Sequence, residues 1–176
     1  MYCYSKIADT DEMKAAFSSF FIKHREQFSK DMILDAALIH LLSYIERSSI
    51  VLSYDEKDQL IAAANYWTIS SSDDVTYDPE GKIMFISSSL IVEHERSSRV
   101  FMHGFRDMIN HVHSSNPAIH TVVFTARADH DYLNKLYSKF ARFAKQVEGL
   151  HGNENLYETD LIALMNFLNR LKSKKM

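Results

Sequence analysis

The spacing of apolar positions along the chain changes several times, and each change marks a boundary between predicted elements. Residues 2–7 read as a first strand. Asp9, Thr10 and Asp11 then supply cap residues for a helix in which Met13, Phe17, Phe20, Phe21 and Phe28 recur at near-helical spacing. Asp31 is placed to cap a second helix. Its Ile33, Leu34, Ala37, Leu38, Leu41, Leu42 and Ile45 form a wide apolar face that ends at Glu46, Arg47 and Ser48. Both helices read as amphipathic and are expected to pack on a sheet.

From Ser49 the period shortens. Ile50, Val51 and Leu52, then residues 60–67, flank the charged turn Asp55, Glu56, Lys57, Asp58, which is the mark of a β-hairpin. Residues 70–81 are rich in Ser and Asp and read as a flexible loop. A strand over 82–92 ends in the apolar run Leu90, Ile91, Val92, as expected for a strand covered on both faces. Val100, Phe101, Phe105, Met108, Ile109 and Val112 define the next helix, which stops near Ser114 to Asn116 because Pro117 cannot continue it. A strand over 120–126 leads to Asp129 as a cap, and to a helix carrying Tyr132, Leu133, Leu136, Tyr137 and Phe140. Strand, helix, strand, helix in this order implies a parallel pair at the centre of the sheet. Short strands over 144–149 and 156–159, joined by residues 150–155, and a closing helix over 161–171 complete the pattern. The basic end of that helix (Lys172, Lys174, Lys175) suits a helix C-terminus and reads as a solvated cap. The expected fold class is α/β (α+β): one domain over residues 1–176, with a mixed central sheet of about six to seven strands flanked by helices.

Composition narrows the function classes. With 176 residues, 46% hydrophobic and 24% charged, the chain is long enough for a real core. The formal net charge of −3 leaves no basic field for nucleic acid, and basic residues are not interleaved with aromatics. A single cysteine, Cys3, excludes an intrachain disulfide and reads as a small buried hydrophobe. The lack of a long apolar run or a signal-like start argues against export and membrane spanning, so the chain reads as cytoplasmic. His111 and His113 point to different faces of one helix and cannot share a metal, and no other spacing suggests a metal site. Ser87, Ser88 and Ser89 lack the partners of a nucleophile and read as strand residues. With only 4 Gly and 2 Pro, Ser, Asp and Asn must make most of the turns.

The chemistry concentrates where strand 82–92 opens onto a helix. A helix N-terminus presents main-chain N–H groups to an anion, and Arg96 and Arg99 lie in the connecting turn. Together they suit a phosphate-bearing ligand. In the order of its elements the chain resembles the GNAT superfamily of acyl-CoA-dependent N-acyltransferases. Leu90, Ile91 and Val92 resemble the end of that family's central strand, whose backbone pairs with the pantetheine arm. Arg96, Ser97, Ser98, Arg99, Val100 and Phe101 stand in the place of its Arg/Gln-x-x-Gly-x-Gly/Ala turn around the pyrophosphate. Asn134, Leu136, Tyr137 and Phe140 resemble a compressed form of its Asn-x-x-x-x-Leu-Tyr-x-x-x-Gly-Phe segment.

The resemblance implies acetyl-CoA or another acyl thioester as co-substrate, no metal, and a primary amine of a small molecule or protein as acceptor. It implies Tyr137 as acid toward the departing thiolate, and Asn134 bonded to the cofactor arm or to backbone near it. Glu93, at the end of the central strand, is placed to serve as base, with His94 and Glu95 beside it. Bland readings stand next to these: Tyr137 as one aromatic on a packed helix face, and the Glu-His-Glu cluster as an exposed salt-linked turn. Trp67 and Tyr66 either line an acceptor pocket or pack in the core. Asp73, Asp74 and Asp78 either attract a cationic amine or solvate a loop. The last strands and the tail helix offer surfaces for dimerisation.

Two departures stand out. Arg99 and Phe101 occupy the turn's two glycine positions, and Lys139 or Ala141 replaces the glycine before the final Phe. Phe101 either points into the turn and blocks it or turns into the core beside Phe105. These departures define an alternative: a degenerate member of the fold without acetyl-CoA activity, acting as a protein-binding module or taking its acyl group from an acyl carrier protein.

Overall fold

Thr10 begins the helical part of the chain. Its hydroxyl accepts from the Met13 amide at 3.3 Å and caps α1 (Asp11–Phe28), as the sequence predicts. A computed structural model describes residues 3–30, 32–95, 98–149 and 152–173, with backbone only at 98, 99 and 171–173. Seven strands, β1 (Tyr4–Ile7), β2 (Ser49–Tyr54), β3 (Leu60–Ile69), β4 (Ile83–Ile91), β5 (Thr121–Arg127), β6 (Arg142–Gly149) and β7 (Gly152–Asp160), form one mixed sheet in the order β1-β2-β3-β4-β5-β7-β6. The remaining helices are α2 (Leu34–Arg47), α3 (Ser98–Ser115), α4 (Asp131–Tyr137) and α5 (Leu161–Ser173). The expected fold class is observed. Backbone packing divides the chain into two compact units, residues 1–67 with 88–108 (unit 1) and residues 68–87 with 109–176 (unit 2).

In unit 1 the predicted hairpin is present. Asp55 Oδ1 accepts from the amides of Lys57 (2.8 Å) and Gln59 (2.9 Å), and Asp58 takes a positive φ of 58° to close the turn. The core is built from α1, α2 and the strands: Phe17, Phe20, Phe21, Ala37, Leu41 and Tyr44 pack with Ile50, Leu52, Ile61 and Ala63, and Trp67 lies against this cluster. Cys3 is buried, as expected, and burial is the first cause pushing its thiol up, which keeps it inert.

The wide apolar face of α2 needs correction. Only Ala37, Leu41 and Tyr44 are buried, while Ile33, Leu34, Leu38, Ile39 and Leu42 are exposed. The period set the helix correctly but counted two adjoining stripes as one. The N-cap is Ile33, without a side-chain bond, and Asp31 lies outside the described residues.

Asn65 on β3 is fully buried, and among the described residues neither its Oδ1 nor its Nδ2 meets a partner. Each unsatisfied buried group costs about 1–3 kcal/mol. Asn65→Val, matched in size and suited to a strand, is therefore expected to raise the stability by about 1–2 kcal/mol. Urea unfolding should show it as a higher midpoint at unchanged slope; a lower midpoint would mean that the amide does something for the native state.

In unit 2, β4 and β5 run parallel, with Ile83 opposite Thr121 through Ile86 opposite Phe124. The loop before β4 is tied down at Asp78, whose amide bonds the Thr68 carbonyl (2.8 Å) and whose carboxylate takes the Glu80 amide (2.9 Å) and the Ser70 hydroxyl. Gly81 is required there, since a Cβ would sit 2.4 Å from the Ile69 carbonyl oxygen. The last two strands are longer than the sequence suggests and form a tight hairpin, from Gly149 opposite Gly152 to Arg142 opposite Glu158. Asn153, Glu154 and Asn155 disguise the start of β7, because that end of the strand is exposed or half-buried and needs no apolar alternation, whereas Leu156 and Tyr157 beyond it are buried. β6 is one edge of the sheet and β1 the other. The pairing of β6 slips between Phe143 and Lys145, and Lys145 Nζ reaches Asp73 at 2.5 Å.

Candidate active site

Unit 1 carries the end of β4 and the start of α3. Leu90 and Val92 are buried and Ile91 half-buried, and the Val92 amide donates to the Ile61 carbonyl of β3 at 3.0 Å. β4 continues to Ile91, five residues past its last parallel pair at Ile86. A single 3-10 turn, Glu93–Glu95, follows, closed by the Glu95 amide on the Val92 carbonyl at 2.9 Å. Glu93 and His94 are exposed on it, and Glu95 is half-buried. Arg96 and Ser97 lie outside the described residues; Ser98 and Arg99 are helical in backbone and open α3. Val100 is buried. Phe101 is half-buried, and its ring lies 5.5 Å from that of Phe105, one helical turn on.

Unit 2 carries Asn134 and Tyr137 on α4. Two expectations about this helix are corrected. Asp129 does not cap it, because its carboxylate is held bidentate by Arg127 (2.6 and 3.0 Å), and His130 caps instead, its Nδ1 accepting from the Leu133 amide at 3.4 Å. The helix also stops at Tyr137 rather than running through Phe140: the Phe140 and Ala141 amides both turn back to the Tyr137 carbonyl (3.1 and 2.9 Å).

Asn134 is a hub. Its Nδ2 donates to the carbonyls of Arg127 (2.9 Å), His130 (3.0 Å) and Ala128 (3.3 Å), and its Oδ1 accepts from Tyr157 Oη (2.8 Å) and Asn155 Nδ2 (3.0 Å). Tyr137 is buried in an aromatic cluster, edge-on to Phe124 (4.7 Å), Tyr157 (5.7 Å) and Phe140 (5.9 Å). Burial, with Tyr157 as a smaller cause, pushes its phenol up to about 12. Tyr157 and Asn155 escaped the sequence reading. Their signal is the two-residue spacing that sets both on one face of β7.

The acidic loop satisfies itself. Asp73 pairs with Lys145, Asp74 takes the Thr76 amide (2.9 Å), which with the Thr76 hydroxyl holds its carboxyl below the usual range, and Asp78 is engaged as described. Among the described residues no group of His, Cys, Asp and Glu side chains is placed to hold a metal ion, and no helix is long and apolar enough to cross a membrane.

Strand order, the β4-turn-α3 junction and the closing hairpin together give the chain the fold of the GNAT acetyltransferases, and solved structures match it over nearly its whole length. An uncharacterized protein from Bacillus halodurans matches with a TM-score of 0.74 at 13% identity, covering 99% of this chain and 92% of that one. NAA60 of Arabidopsis thaliana, in complex with a bisubstrate analogue, matches at 0.66 and 13% identity, covering 90% and 98%. AAC(6')-Ib, in complex with ribostamycin and coenzyme A, matches at 0.67 and 11% identity, covering 93% and 96%. No protein-family model matches the chain, and no curated protein matches it in sequence.

Proposed function

We propose that this protein is an N-acyltransferase that moves an acyl group, acetyl in the simplest case, from acyl-CoA to a primary amine. The observation that carries the reading is the run of β4 past its last parallel pair, straight through one 3-10 turn onto α3, in a chain with the GNAT strand order. Structures of this fold that hold CoA, acetyl-CoA or a bisubstrate analogue support the choice of donor.

The residues present are compatible with that donor. Phe101, at the second glycine position, packs on Phe105, and Arg96, Arg99 and the start of α3 supply charge and main-chain donors of the kind that bind a pyrophosphate. Leu90, Ile91 and Val92 would line the pantetheine arm, with Ser98 and Val100 in the first turn of α3. Bound acyl-CoA supplies an activated carbonyl and a thiolate leaving group. Glu93, exposed at the end of β4, accepts the proton of the acceptor ammonium, directly or through water. The amine nitrogen would then bond the carbonyl carbon as the C–S bond breaks, and the second proton lost by the nitrogen would pass to the departing sulfur, so that CoA leaves as the thiol. Tyr137, whose raised phenol keeps its proton, is by the resemblance the donor that would meet the sulfur as negative charge grows on it. Asn134 fixes the loop and the strand next to α4.

CoA binding tests the reading apart from any acceptor. The melting temperature is expected to rise steadily with CoA concentration, reaching about 2.7 kcal/mol of stabilisation at 100 times the dissociation constant. No rise at roughly 1 mM CoA, the upper end of ordinary KM values, would favour the acyl-carrier or non-catalytic alternative.

A further inference from the structure

We propose that a groove in unit 2, between the α4–β6 link and the ends of the neighbouring strands, binds a small zwitterion of the α-amino-acid class. The groove has a volume of about 610 Å³. One wall is the link itself (138–141), and the other is the start of β5, the start of β6 and the end of β7. All of its lining residues belong to unit 2, and none belongs to the candidate active site. The volume falls inside the roughly 300–1,000 Å³ of small-molecule sites.

Both walls are fixed before a ligand arrives. The amides of Ser138, Lys139, Phe140 and Ala141 all turn back onto carbonyls of α4, at 2.9 to 3.2 Å. The Thr159 hydroxyl donates to the Phe140 carbonyl at 2.9 Å and ties the link to β7, while the Phe140 ring packs on Phe167 of α5 (5.3 Å). On the strand side, ladder pairing sets Thr121 opposite Asp160 and Arg142 opposite Glu158. A preformed groove spares the ligand the cost of ordering its own site.

The charges select the ligand. Arg142 Nη2 meets Glu158 Oε2 at 3.1 Å, which leaves Arg142 Nε and Nη1 and Glu158 Oε1 open. Asp160 Oδ1 takes the Ala163 amide at 2.8 Å, so its Oδ2 is open. Lys139 is exposed on the link, and among the described residues neither its ammonium nor Asp160 has an ion-pair partner. Glu158 and Asp160 are two apart on one face of β7, about 7 Å along the strand. Two cations and two carboxylates balance. A phosphate would therefore meet Glu158 and Asp160, and a polyamine would meet Lys139 and Arg142, each a like-charge contact that costs affinity. A molecule with opposite charges at its two ends avoids both. Its carboxylate goes to Lys139 and the open donors of Arg142, and its ammonium goes to Asp160 and Glu158. A free α-amino acid supplies that pair of poles.

Titration of the full chain with glycine, glutamate, lysine and phenylalanine, followed by NMR of the backbone amides, tests this. At least one of them is expected to shift the amides of 139–141 and 158–160 saturably, with a dissociation constant of about 1 mM or tighter. Its N-acetyl and C-amide derivatives each lack one pole and should bind about tenfold more weakly, as loss of one charge-assisted bond implies. Lys139→Gln and Asp160→Asn should each weaken binding by a similar factor. Asparagine keeps the oxygen that takes the Ala163 amide, so α5 stays capped. Lys135→Gln, on α4 and outside the groove, should leave binding unchanged. The proposal is overturned if none of the amino acids shifts those amides, and equally if binding is indifferent to the blocked derivatives or to both groove variants. Shifts confined to 90–95 would report an acceptor at the candidate active site and would also overturn it.

Discussion

Replacement of Tyr137 by phenylalanine is expected to lower kcat for acyl transfer about 100-fold while the protein stays folded. Its neighbours Phe124, Phe140 and Tyr157 touch the ring, and a phenylalanine keeps those contacts, so stability should change by about 1 kcal/mol or less. The reason for a large kinetic effect and a small structural one is the buried phenol. Held at about 12, it keeps its proton across the working range. A thiolate near 8.5 is too weak a base to take that proton outright. On the proposed function Tyr137 would act as a hydrogen-bond donor to the sulfur, and loss of one such donor would cost about 3 kcal/mol of barrier.

The same phenol gives a signature that needs no substrate. In the unfolded chain it ionises near pH 10. From there up to its folded value of about 12, the native state holds a proton that the unfolded state has released. Stability is thus fully present below pH 10 and falls at up to about 1.4 kcal/mol per pH unit as the pH rises toward 12. Tyr66 and Tyr54, also raised by burial, add to the fall. The informative quantity is the difference between wild type and Tyr137→Phe, which should lose Tyr137's share of the slope. Equal slopes would contradict the buried phenol, and an unchanged kcat would remove Tyr137 from the chemistry.

Asn134→Ala is expected to destabilise the protein by about 3 kcal/mol, the second large effect. One truncation takes a donor pair from three carbonyls and an acceptor from Tyr157 and Asn155. Tyr157→Phe, which removes one of those bonds, should cost about 1 kcal/mol. Chemical denaturation measures both. A loss at Asn134 no larger than that at Tyr157 would mean that the network adds nothing to its single bonds.

Asn134 also shows what the sequence could carry. A motif resemblance picked out the residue, but its partners on β7 lie about twenty positions away and leave no local mark. Similarly, helical spacing located α2 from Leu34, Ala37, Leu38 and Leu41, yet period alone does not say which stripe meets the core and which meets water. The first strands and α3 were legible because buried elements impose apolar runs. The β6–β7 hairpin was under-read because Asn153 and Glu154 satisfy no burial pattern. The end of α4 was missed because Phe140 kept the helical spacing while its amide had already turned back to Tyr137. Of the segment after β4, sequence supplied the arginines and left the orientation of Phe101 open, which is a matter of rotamer.

The slipped pairing of β6, with Lys145 drawn aside to Asp73, governs how the protein behaves in crowded solution. An outermost strand with an offset in its ladder and a tethered cation offers no straight row of amides for a foreign chain to zip onto. Growth of cross-β fibrils from this border is thereby discouraged.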